Sequence, residues 1–159
     1  KNGTRRQMNE KLAEFSNKID GAAAALVYYA GHGAQIRGEN YLMPVDVSVD
    51  TEAAIKDESV SLNRVLDELE GGRNRINIVM LDACRDNPFA RSAASSAGLA
   101  PMDAPPNTYF AYATAPGNVA EDGEAVGNGL FTGFLLNEIG QPGARIEDVF
   151  KTAGAWIGH

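Results

Sequence analysis

The sequence has 159 residues, 44% of them apolar and 22% charged, which is enough to bury the core of one ordinary domain and argues against a disordered or fibrous chain. Fourteen Lys and Arg against 21 Asp and Glu leave a formal charge of −7, which opposes non-specific binding to nucleic acid or an anionic membrane and suits a cationic peptide better. No apolar run reaches the ~20 residues that span a bilayer, so the chain reads as soluble.

From Thr4, the apolar residues Met8, Leu12, Phe15 and Ile19 recur at helical spacing, with Thr4 available as a cap and Gly21 as a stop. Ala23 to Ala30 is a continuous apolar run without alternation, which predicts a strand covered on both faces. Leu62, Val65, Leu66 and Leu69 predict a second helix from about Ser61, stopped by Gly71 and Gly72. Ile76 to Leu81 follows as a second apolar strand. From Asp86 to Pro106, small residues and prolines predict a long mobile loop, and Tyr109 to Ala113 a third strand. A helix carrying Leu130, Phe131, Phe134, Leu135 and Ile139 comes next. A last helix places Ile146, Val149, Phe150 and Ile157 on one side.

Strands alternating with helices imply βαβ units, a mainly parallel sheet and an α/β/α sandwich. No internal repeat or second domain is visible, so residues 1–159 read as one domain, and the helical ends suggest an excerpt from a larger protein. Ligands of such sheets bind at the carboxyl ends of the strands. The first strand ends in Gly31-His32-Gly33 and the second in Asp82-Ala83-Cys84.

Cys84 is the sole cysteine, and the only other histidine, His159, closes the chain without a motif around it. One thiol excludes an intrachain disulfide and leaves the compartment open, with the cytoplasm slightly favoured. One cysteine and two histidines are also a poor zinc set, so no metal is expected. A free cysteine is commonly inert core, and a lone histidine is commonly hydrogen-bonded filler. Their coincidence at neighbouring strand ends points instead to chemistry. An imidazole can take the thiol proton and return it to a leaving amine, which suffices for acyl transfer. Glycines beside His32 would let the backbone turn sharply and a peptide approach, while the amides of Gly33 and Cys84 could hold an oxyanion.

Tyr28-Tyr29-Ala30-Gly31-His32-Gly33 resembles the histidine motif of the caspase and metacaspase family of cysteine endopeptidases, and Asp82-Ala83-Cys84-Arg85 resembles its cysteine motif. The two key residues are 52 positions apart, near the ~50 of caspases. Ala111 to Gly117, followed by Gly129-Leu130-Phe131, is similar to a third family segment, and the resemblance, most like the bacterial branch, covers residues 4 to 157. It implies a caspase-like sheet without the family's opening and closing strands, His32 as general base and acid, Cys84 as nucleophile, and the Gly33 and Cys84 amides as oxyanion hole.

Caspases that cleave after Asp carry glutamine where this sequence has Asp82, and an arginine after the Pro-Gly turn where it has Asn118 to Asp122. An acidic pocket floor repels an acidic side chain, so protein or peptide substrates cut after Arg or Lys are expected, with Asp82 as counter-ion. A turn cap or an orienting group is the plainer role for that carboxylate. Family members are often cut between the cysteine strand and the next one, which makes Arg91 a candidate for self-cleavage. The resemblance also allows calcium activation, but Asp46, Asp50, Glu52, Asp57 and Glu58 match no calcium-loop spacing and read as a solvated surface, so no cofactor is assigned. The alternative to an enzyme is a caspase-like interaction or regulatory module with little turnover. A nucleotide-binding domain is disfavoured because no phosphate-cradling glycine loop is present. The oligomeric state is left open.

Overall fold

The computed structural model describes residues 2–74, 76–84, 99–100, 102–112, 141–143, 145, 148–149 and 156–158. The candidate cleavage residue Arg91 and the helix expected around residues 130–139 lie outside them.

Helix α1 (Arg5–Ile19) starts as its sequence prescribes. Thr4 Oγ1 accepts from the Gln7 amide at 3.3 Å and Gln7 Oε1 accepts from the Thr4 amide at 3.0 Å, a reciprocal box that satisfies two end donors. Strand β1 (Ala25–Ile36) follows and turns back through Arg37 and Gly38, both at positive φ, into β2 (Glu39–Leu42). Positive φ at both central residues gives a two-residue hairpin a twist that matches its strands. Helix α2 (Glu52–Glu58), the two-residue β3 (Val60–Ser61) and helix α3 (Leu62–Gly71) lead to β4 (Asn77–Cys84). Strands β5 (Thr108–Tyr112) and β6 (Trp156–Gly158) complete the described elements.

The sheet order is β3-β2-β1-β4-β5-β6. The β1–β4 and β4–β5 pairs are parallel, while β1–β2, β2–β3 and β5–β6 are antiparallel. This mixed sheet, parallel at its centre and flanked by helices, is the expected α/β architecture. Val65, Leu66 and Leu69 of α3 pack with Ile19 of α1 against Val79, Leu81, Phe110 and Tyr112, so both helices cover the same face. At the far ends of these helices Gly72 lets them meet: a Cβ there would lie 2.8 Å from Ile19. A second apolar cluster, Ala34, Ile36, Tyr41, Met43 and Ile55, anchors the hairpin to α2.

Three expectations are corrected. Burial on both faces holds for β4, where Val79, Met80 and Leu81 are at most 2% exposed, but not for β1, whose Leu26 and Tyr28 are 41% and 40% exposed. An apolar run shows that a strand can be covered on both sides, not how fully each face is covered. Ile157, assigned to a closing helix, lies in β6 opposite Ala111; three residues of β pairing at a sheet edge leave too short a periodic signal to read. Part of the long loop is core: Leu99 and Ala100 are buried, and Ala100 exchanges hydrogen bonds with the buried Asn40 side chain, donating at 2.7 Å and accepting at 2.9 Å.

Candidate functional site

The parallel register of β1 and β4 runs from Ala25 opposite Asn77 to His32 opposite Cys84. Neighbouring strands lie about 4.8 Å apart, so the final rung brings the backbones of the expected base and the expected nucleophile together. Two residues earlier, Ala30 is opposite Asp82. His32 is exposed and lines a groove of about 830 Å³ with Gln7, Met8, Tyr28, Gly31 and Met43. The half-buried Asp82 accepts from the Tyr28 hydroxyl at 3.5 Å, a diagonal neighbour across the strands.

The two glycines of the histidine motif have a different job from the expected turn. Neither stands at positive φ; both sit inside the twelve-residue β1. Their role is clearance. A Cβ on Gly33 would meet Leu99 at 3.0 Å and Ala83 at 3.3 Å, and one on Gly31 would meet the Tyr29 hydroxyl at 2.8 Å. That hydroxyl lies 2.6 Å from the His32 carbonyl and 2.9 Å from the Met43 carbonyl, donating its single hydrogen between them. Sequence reasoning passes over Tyr29 as one more apolar strand residue. The available signal is a phenol two positions before a glycine in an extended strand, where side chains i and i+2 share a face.

A family model described as a caspase domain matches residues 1–155. The chain belongs to the caspase-domain family of peptidases. It is 27% identical over 139 residues to human mucosa-associated lymphoid tissue lymphoma translocation protein 1 and equally to the mouse homologue, covering 86% of this chain and 16% of those proteins. It is 31% identical over 120 residues to a probable protease of a Desulfuromonadales bacterium, covering 69% of this chain and 14% of that protein. The caspase-domain chain thus spans about a sixth of the length of these curated relatives.

Three of the five carboxylates of this caspase domain considered for calcium accept hydrogen bonds in the structure. Asp46 accepts from the Arg5 amide at the start of α1 at 3.0 Å, Glu58 accepts from the Ser48 amide at 2.6 Å, and Asp50 accepts from the Ser48 hydroxyl at 2.7 Å. Among the described residues no three His, Cys, Asp or Glu side chains gather around a common point. No described helix is long and apolar enough to cross a membrane.

Burial pushes the Tyr29 hydroxyl up to about 12, so it remains a donor throughout the range in which a peptidase works. Burial also pushes Tyr41 up to about 12, with its hydrogen bond to Glu39 adding to the shift. An unfolded tyrosine ionises near 10, so between pH 10 and 12 the native state holds more protons than the unfolded state and stability falls as pH rises. Urea midpoints are therefore expected to be unaffected by these tyrosines up to about pH 10 and to decline beyond it. The double variant Tyr29→Phe, Tyr41→Phe should lose less stability over that interval than the parent.

Proposed function

We propose that this caspase domain is a cysteine endopeptidase that hydrolyses peptide bonds after Arg or Lys through a Cys84–His32 dyad. The observation that carries the reading is the last β1–β4 rung, where His32 stands opposite Cys84. His32 takes the thiol proton, and the sulfur adds to the scissile carbonyl to give a tetrahedral oxyanion. The C–N bond then breaks, His32 returns the proton to the departing amine, and a thioester remains on Cys84. Water, deprotonated by His32, attacks the thioester, and the thiol is regenerated with release of the acid product.

In this reading the amides of Gly33 and Cys84 receive the oxyanion. The ladder starts with the Ala25 amide on the Ile76 carbonyl at 2.9 Å and alternates up to the His32–Cys84 rung, so both amides belong to that terminal rung. In this reading the oxyanion competes with the ladder carbonyls for these two amides. Asp82, two residues before Cys84 on the same strand, supplies the counter-ion for a basic side chain, and the formal charge of −7 favours cationic peptides at longer range. Basic protein segments are the corresponding partners.

Fluorogenic peptides ending in Arg, Lys or Asp test the reading directly. Cleavage of the Arg and Lys peptides with none after Asp is the expected result; preferential cleavage after Asp removes the pocket assignment, and absence of turnover by the folded protein on all three favours a regulatory module. Self-processing is expected after Arg91. Amino-terminal sequencing of the protein after incubation should find a new terminus at Ser92 in the parent and none in Cys84→Ala; the same cut in both would exclude autocatalysis.

A further inference from the structure

We infer that Tyr29 is a positioning residue: its hydroxyl holds the peptide unit between His32 and Gly33, and through it both the imidazole and the Gly33 amide. The inference rests on the dyad reading for its catalytic consequence, but its structural content stands apart from it.

The His32 carbonyl is held by two donors. The Met43 amide reaches it at 2.9 Å along the hairpin and the Tyr29 hydroxyl at 2.6 Å from the body of the domain. The same hydroxyl also lies 2.9 Å from the Met43 carbonyl, so one phenol ties β1 to the residue that follows β2. Its ring packs against the main apolar cluster and does not swing freely. A peptide unit is planar, so the His32 C=O and the Gly33 N–H share one plane and point in opposite directions. A carbonyl held from two sides fixes that plane. Fixing the plane sets the direction of the Gly33 amide and limits the backbone rotation that carries the His32 side chain.

Gly31 completes the device. The phenol hydroxyl passes over this residue so closely that a Cβ would lie 2.8 Å from the oxygen and 3.0 Å from Cζ. The glycine before the histidine is therefore the space through which Tyr29 reaches the next peptide. Sequence order Tyr-Ala-Gly-His-Gly becomes a single mechanical unit: a strut, a gap, and the group the strut supports.

Kinetics and amide exchange test this together. Tyr29→Phe removes one oxygen and is expected to lower kcat on the Arg peptide by about 10- to 100-fold, the scale of an ångström-level misplacement, while KM stays within about twofold. Gly31→Ala should also lower kcat, by pushing the hydroxyl off its carbonyl, yet add little further loss in the Tyr29→Phe background, because both changes break one contact. Hydrogen exchange gives a readout that needs no turnover: the Gly33 amide should exchange about tenfold faster or more in Tyr29→Phe, with the amides of Val79 and Met80 in the core unchanged. An unchanged Gly33 rate overturns the inference whether or not the protein cleaves peptides. So does a rise in KM at constant kcat, or additive losses in the double variant. Accelerated Gly33 exchange in a protein without Cys84-dependent hydrolysis would keep the strut and discard the endopeptidase reading.

Discussion

Replacing Cys84 with alanine is expected to reduce hydrolysis of the Arg peptide by about 10⁴-fold or more, to the level left by binding and oxyanion stabilisation alone. His32→Ala should cost nearly as much, and the double variant no more than the worse single change, since a nucleophile without its base and a base without its nucleophile are equally idle. The reason for expecting such coupling is the register: His32 and Cys84 share the terminal rung of the β1–β4 ladder. The separate rate of Cys84 alkylation by iodoacetamide distinguishes a lost base from a lost fold. With the imidazole present to take the thiol proton, Cys84 should alkylate faster at neutral pH than it does in His32→Ala. Hydrolysis that persists in Cys84→Ala would end the proposal.

The second large effect concerns selectivity. Asp82→Asn keeps the shape of the side chain and removes its charge, and is expected to lower kcat/KM for Arg and Lys peptides by about 2–5 kcal/mol in transition-state binding, or roughly 30-fold to several thousandfold. Asp82 is half-buried, and water reaching it screens the pair, which sets the expectation toward the lower end. The alkylation rate of Cys84 should change little, because the lost charge acts on the substrate side chain and not on the thiol. Equal losses in alkylation and hydrolysis would instead make Asp82 a structural support of the cysteine strand. Its neighbour Tyr28, 3.5 Å away across the strands, provides a comparison: Tyr28→Phe should affect Arg cleavage much less than Asp82→Asn, since it removes the long hydroxyl contact with Asp82 and leaves the carboxylate charge in place.

Local chemistry in the sequence accounts for much of what positions the site. The helical spacing of Met8, Leu12, Phe15 and Ile19, the Thr4 cap and the Gly21 stop predict α1, and the structure has it at Arg5–Ile19. The same reasoning reaches α3 and β4 to within a few residues, because a helix or strand buried on the face its own periodicity defines carries its signal within one short window. The candidates His32, Cys84 and Asp82 stand out in the sequence for a related reason. They are rare or charged residues interrupting apolar runs at predicted strand ends, where chemistry-bearing groups stand out against the core.

Only the tertiary structure decided which residues meet. That His32 faces Cys84, and Ala30 faces Asp82, is a register set by packing between strands some fifty residues apart, and a slip of one residue would leave every local pattern intact while turning the site over. The glycines flanking His32 look like turn-formers in sequence because flexibility is their local property. In the fold they are clearances for Leu99, Ala83 and the Tyr29 hydroxyl, a requirement imposed by neighbours that no window around residue 32 contains in full. Tyr29 is the sharpest case: its ring contributes to the apolar pattern as any aromatic would, and its function resides in one oxygen whose two carbonyl partners, His32 and Met43, converge only when the hairpin folds back on β1.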